Sequence, residues 1–424
     1  MFVSNLQVPV GKQRDFIIGK PARINLLYGS VRSTKTWAVN IKILKDIITL
    51  PDGNILFVGN TGTSLYRNVL TPLKDLVGKQ NFEMHSGKKE CEIFGRTIWI
   101  EGADNVSSYK KIEGESLIAA YVDEGTTVPE NFINMLLSRL SDQDARLYLT
   151  CNPETPRNYI YKNFIQRSDE LNIKVWKFTL DDNPYLPLEY KRDLEKEYPK
   201  GTVFYDRFIL GNWVAAEGRV FGLFDKGKHC GVPPATLRPK ELRIGADYGT
   251  HNACAFVALE KYLVPGRAKP TWYVSREYYW DSVVEHAQKT DADYSKDMAK
   301  FASEQWGYSS GQPGIIYGDD TSKMYASTIE VDPSAASFIL QLQRDGLHKA
   351  RAADNDVLGG IRKIASMIGN GDLIINSEKC PVLVSEMETY AWDQSAADRG
   401  EDKPQKIDDH AVDALKYAVN SIRV

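Results

Sequence analysis

Tyr28-Gly29-Ser30-Val31-Arg32-Ser33-Thr34-Lys35-Thr36 decides how the first half of this chain is read. Asn25 to Tyr28 is short and apolar enough for a strand, and Trp37 to Ile48 continues as a helix. Between them lies a loop opened by glycine and closed by a lysine and a hydroxyl. Such a loop curls backbone N–H groups around phosphates, places the lysine on the β/γ-phosphates and offers the hydroxyl to Mg²⁺. Gly29, Ser30, Val31, Arg32, Ser33, Thr34, Lys35 and Thr36 are therefore the candidate ATP-binding residues. One departure stands out: Thr34, a β-branched residue, occupies the position where the usual pattern has its second glycine. The alternative is a plain strand-loop-helix junction with a surface lysine.

Working outward, short apolar runs recur at Asn54–Gly59, Thr97–Ile100, Leu117–Asp123 and Arg146–Thr150, with helical stretches between them. That alternation predicts an α/β domain around a largely parallel sheet. Leu117 to Val122 ends in Asp123-Glu124, which separates a phosphate site from a bland loop. Asp123 would hold the Mg²⁺ shell, and Glu124 would polarise the attacking water. Arg139 lies on a helix beyond this pair, either as an arginine finger towards a neighbouring subunit's ATP or as a solvated helix charge. Thr150-Cys151-Asn152-Pro153 ends the next strand, where Asn152 can sense the γ-phosphate or simply belong to a turn. Arg32 is a second candidate for charge stabilisation.

At 424 residues the chain is long enough for two or three domains. The pattern loosens between about 181 and 240, where turns and the pair Pro233-Pro234 interrupt it. The expected division is a P-loop domain over 1–205, a junction over 206–237 and a second domain over 238–424. A net charge of −3 does not by itself nominate a nucleic-acid binder. Cys91, Cys151, Cys230, Cys254 and Cys380 are dispersed without CxxC spacing, which argues for a reducing compartment and against structural zinc. With no signal peptide or apolar run of spanning length, a soluble, intracellular protein is expected.

The second half opens with three predicted strands, Leu242–Asp247, Ala253–Leu259 and Thr271–Tyr279, then a charged helix over Ser282–Trp306. Three strands followed by mixed α/β suit an RNase H-like sheet. Its chemistry is suggested by acids at element ends. Asp247 ends the first strand, and Asp332 ends Thr328–Val331 just before a helix expected near Ser334. On the last predicted helix, Asp409, His410 and Asp413 share a face by i,i+3 and i,i+4 spacing. Carboxylates converging from separate elements are what two Mg²⁺ or Mn²⁺ ions require for phosphodiester hydrolysis. Each acid alone could equally cap a helix, and Asp319 or Asp320 competes with Asp332. His410 would orient a ligand or a water beside Asp413.

Taken together, Gly29 to Thr36, Val122-Asp123-Glu124, Cys151-Asn152-Pro153, Asp247-Tyr248-Gly249, Val331 to Ala335 and Asp409 to Tyr417 resemble the large subunit of tailed-phage terminases. Ala353 to Val357 and Glu401 to Pro404 also look like this group, and the resemblance covers nearly the whole chain. It implies an N-terminal ASCE-type ATPase domain and a C-terminal RNase H-like nuclease domain. Lys35, Thr36, Asp123 and Glu124 would then run ATP hydrolysis with Mg²⁺, and Asn152 would sit in the coupling motif. Asp247, Asp332 and Asp413 would bind the nuclease metals. The implied partners are double-stranded DNA, a small terminase subunit and the procapsid portal. A ring of subunits would act on that portal in the host cytoplasm, with a monomer in solution unsurprising and no membrane involved.

Two other classes compete. A helicase-nuclease of DNA repair would need strand-separation motifs, and none is seen. An assembly protein using ATP as a conformational clamp would not need Glu124 or three convergent aspartates.

Overall fold

The first sheet has eight strands: β1 (Ile24–Gly29), β2 (Asn54–Gly59), β3 (Phe82–His85), β4 (Glu90–Ile93), β5 (Arg96–Gly102), β6 (Leu117–Val122), β7 (Arg146–Cys151) and β8 (Ile173–Phe178). Their order is β3-β4-β5-β2-β6-β7-β1-β8. β3, β4 and β5 pair antiparallel, whereas the rest of the sheet is parallel. β7 thus lies between the strand that leads into the loop and the strand that ends at Asp123, the ASCE arrangement. Every residue of β6 is buried, as expected of a central strand covered on both faces. The helix Lys35–Thr49 turns Ala38, Val39, Ile43 and Ile47 into the core beside it.

The second sheet contains β9 (Glu241–Asp247), β10 (Ala253–Tyr262), β11 (Thr271–Asp281), β12 (Thr328–Val331), β13 (Ala350–Ala352) and β14 (Leu373–Ile375). Its order is β13-β12-β9-β10-β11-β14. β9, β10 and β11 form an antiparallel meander, and β12 joins β9 in parallel, which is the RNase H-like order. The last helix, His410–Asn420, crosses this sheet at Gly245. A Cβ there would stand 1.8 Å from the Ala414 carbonyl oxygen, so only glycine allows the helix to lie so close.

These elements come from a computed structural model, which describes residues 8–249, 253–303 and 326–422. They form two compact units. The first comprises Met1–Leu194, Val203–Ala215 and Ser395–Glu401, and the second Glu195–Thr202, Ala216–Gln394 and Asp402–Val424. Among the described residues, no helix is long and apolar enough to cross a membrane. All five cysteines are free.

One expected element is corrected. The charged helix runs over Asp291–Ser303 instead of starting at Ser282. Asp281 accepts hydrogen bonds from the backbone N–H groups of Val283 and Val284, ending β11 in a turn. Those valines are 66% and 69% exposed, so they supply no buried face for a helix. Trp306, like Asp319 and Asp320, lies outside the described residues.

Candidate functional site

Parallel strands bring their C-terminal ends together, and the register decides which residues meet there. Tyr28 pairs with Cys151, and Val122 pairs with Leu149 and Val58. The loop after β1, Asp123 after β6 and Asn152 after β7 therefore open into one cleft of about 560 Å³. Val31, Arg32, Ser33, Thr34, Lys35, Thr36, Asp123, Glu124 and Asn152 all line it. Gly29 and Ser30 instead form the floor beneath the lysine. Gly29 has φ 142°, and a Cβ would lie 1.7 Å from the Phe178 carbonyl oxygen.

Lys35 Nζ donates to the carbonyl oxygens of Gly29 and Ser30 at 3.1 and 2.7 Å, and to Asn152 Oδ1 at 3.1 Å. Burial lowers its pKa to about 8, against the opposing pull of Cys151 and Asp123. The ammonium thus rests on neutral acceptors that phosphate oxygens could replace. Asp123 Oδ1 accepts from Thr150 Oγ1 at 2.8 Å and from the Tyr121 hydroxyl at 3.1 Å. Glu124 takes a left-handed backbone, φ 53°, which turns it out of the strand direction. Burial, then the neighbouring Asp123, raises its pKa, which suits a carboxylate meant to accept a proton.

Arg139 does not line this cleft. It ends the helix Glu130–Arg139, and its Nε donates to Ser138 Oγ at 3.1 Å. Arg67 and Asn68, which sequence reasoning passed over, do line the cleft, on a π-helical turn over Tyr66–Leu70.

The second constellation sits at the end of β9 and β12. Val331 pairs with Ala246, and the Asp332 N–H donates to the Ala246 carbonyl at 2.9 Å. Asp247 and Asp332 therefore end adjacent parallel strands. Asp332 Oδ1 accepts the Ser334 N–H at 2.8 Å, and the helix that follows begins at Ala336, two residues later than expected. His410 Nδ1 lies 2.8 Å from Asp247 Oδ2. That hydrogen bond is the main reason the histidine pKa is raised. Burial raises the pKa of Asp247, the His410 bond opposes it, and Asp413 and Asp332 add repulsion.

The expected shared face of Asp409, His410 and Asp413 is realised differently. His410 turns to Asp247, while Lys406 Nζ bridges Asp409 Oδ2 at 3.1 Å and Asp413 Oδ2 at 2.7 Å. Lys416 pairs with the other Asp413 oxygen. The donor set fits a hard divalent cation in kind, because the repulsion that Asp413 and Asp332 exert on Asp247 would be relieved by one. Its arrangement holds Asp413 on lysines. Among the described residues, no three His, Cys, Asp or Glu side chains stand together closely enough to share an ion.

Two neighbours of this cluster escaped the sequence reading. Lys416 follows Asp413 at i,i+3, a spacing that could have been noticed. Glu386 is only 2% exposed, and its Oε2 accepts the Val412 N–H at 2.8 Å at the start of the last helix. Burial pushes its pKa up to about 8. Its position between Leu383 and Tyr390, on the buried stripe of the helix Pro381–Thr389, was the available signal.

Comparison with known proteins bears on the family and the fold. A family model described as phage terminase large subunit matches residues 21–212. The PBSX phage terminase large subunit of Bacillus subtilis strain 168 is 24% identical, over 78% of this chain and 73% of that protein. The large terminase of a thermophilic bacteriophage is 33% identical, covers 98% of this chain and 99% of its own, and superposes with a TM-score of 0.81. The chain belongs to the phage large terminase family. The same thermophilic phage's terminase has also been solved with ADP, at 32% identity, 97% and 98% coverage and a TM-score of 0.79. A further structure of that terminase contains ATP-γ-S. The terminase fold, an ASCE-type sheet and an RNase H-like sheet, is the architecture seen here.

Proposed function

We propose that this terminase is a packaging-motor subunit that hydrolyses ATP to drive double-stranded DNA into a procapsid and cuts concatemeric DNA. The reading assigns 1–205 to the ATPase domain, 206–237 to a junction and 238–424 to the nuclease. The observation that carries it is the contact of Lys35 with Asn152 in the cleft that Asp123 and Glu124 also line. A phosphate-neutralising cation, a metal-binding acid, a base and a sensor are thereby gathered.

In this reading Lys35 exchanges carbonyl oxygens for β/γ-phosphate oxygens, and Arg32 adds charge from the loop. Thr36 and Asp123 would hold Mg²⁺, and Glu124 takes the proton of the attacking water. Asn152, tied to Lys35, registers loss of the γ-phosphate. Arg139, which does not line its own subunit's cleft, serves as a finger towards the next subunit of a ring on the portal, while the free protein is a monomer. At the second site Asp247, Asp332 and Asp413 would hold two Mg²⁺ or Mn²⁺ ions. Such ions, when bound, offset charge on the phosphodiester and lower the pKa of water. His410 orients Asp247, and Lys406 has to release Asp413. A small terminase subunit, the portal and DNA are the partners, in the host cytoplasm.

The test is ATP turnover by the purified chain against Glu124→Gln. The variant should still bind nucleotide but turn over roughly 10²- to 10⁴-fold more slowly. Equal turnover would remove Glu124 from the chemistry.

A further inference from the structure

The phosphate loop contains two non-glycine residues in the left-handed region, Arg32 at φ 55° and Thr34 at φ 71°. For a β-branched residue this conformation is an outlier that costs on the order of 1–3 kcal/mol and persists only where surroundings impose it. Here both residues are gripped from outside the loop. Asn183 Nδ2 donates to the Arg32 carbonyl at 2.8 Å. Gln13 Nε2 donates to Thr34 Oγ1 at 2.7 Å and to the Asp182 carbonyl at 3.0 Å.

Gln13 belongs to the helix Gly11–Ile18 and is 1% exposed. That helix is fixed at several points. Phe16 meets Tyr148 and Trp176 edge to face, and Lys12 pairs with Asp182 at 2.9 Å. At its far end, Lys42 Nζ donates to the Ile17 and Gly19 carbonyls at 2.8 and 2.6 Å. The helix and the 3-10 turn Leu180–Asp182, with Asn183 just after it, thus form a bracket around the two strained loop residues.

We infer that Gln13 is a positioning residue: it holds Thr34 in the left-handed conformation where a glycine would need no help, so that nucleotide binding depends on the docked N-terminal helix. The inference rests on reading the cleft as an ATP site. Its physical content is specific. A hydroxyl at position 34 gives the bracket something to hold, and removing the amide leaves the loop free to relax away from the shape that cups phosphate. Because Gln13 acts through Thr34, its contribution should vanish when residue 34 is glycine.

A double-mutant cycle on the full chain tests this, reading affinity for mant-ATP together with KM and kcat for ATP. Gln13→Ala should weaken binding and raise KM by roughly five- to tenfold with little change in kcat. Gln13→Met, which keeps the side chain's bulk in the buried site, should do the same and guards against a folding defect, checked by thermal unfolding. In a Thr34→Gly background either change at Gln13 should cost less than about twofold. An equal loss in both backgrounds would overturn the inference, as would unchanged affinity in both Gln13 variants. Wild type that fails to bind mant-ATP would sink the ATP-site reading itself, and the inference with it.

Discussion

At the nucleotide loop the ammonium of Lys35 rests on neutral oxygens, whereas in the acid cluster the carboxylate of Asp413 rests between two ammonium groups. Both are buried charges, and both are candidates for binding something of opposite sign. The first is poised, because exchanging carbonyl oxygens for phosphate oxygens improves its electrostatics. The second is already compensated, so a cation must first displace a lysine. Buried ion pairs are costly to break when one partner is left alone, but Lys406 is 64% exposed and can return to water. The contrast is between a loop ready for ligand and an acid cluster held in check by its lysines.

The effect that probes this contrast most directly is expected at Lys406. Lys406→Ala removes the competitor at Asp413 and should tighten Mn²⁺ binding on the order of three- to fivefold, read by calorimetry without any turnover. Weaker binding would mean that Lys406 supports the site instead of guarding it.

A separate effect is expected at Glu386. A carboxyl whose pKa rises from 4.5 to about 8 in the folded chain keeps its proton while the unfolded chain loses it. Its contribution to stability is thus complete below about pH 4.5 and is lost as pH rises through about 8. Glu386→Gln carries no such proton. The melting temperature of the variant relative to wild type should climb by several degrees between pH 5 and pH 8. A flat difference across that window would show that Glu386 is ionised in the native protein.

Much of this was legible in the sequence because it depends on local pattern. Apolar strands that end in Asp123, Asp247 and Asp332 announce a parallel sheet mouth, and the loop around Lys35 announces its own ligand chemistry. What stayed hidden depends on tertiary contacts. Nothing local says that Gln13 reaches Thr34, or that Glu386 accepts the Val412 N–H at the start of the last helix. Thr34 itself read as a departure, and only the bracket around it explains how a threonine is held at φ 71°. The helix expected from Ser282 failed for a local reason after all: Asp281 could bond two following N–H groups and make a turn.

Plasmid cleavage in Mn²⁺ by wild type and by Asp332→Ala is the most direct test of the central claim, that the ends of β9 and β12 with the last helix form a metal-dependent nuclease. The account predicts cleavage by wild type and its loss in a folded Asp332→Ala protein. Cleavage that persists in Asp332→Ala but disappears in Asp319→Ala or Asp320→Ala would contradict it.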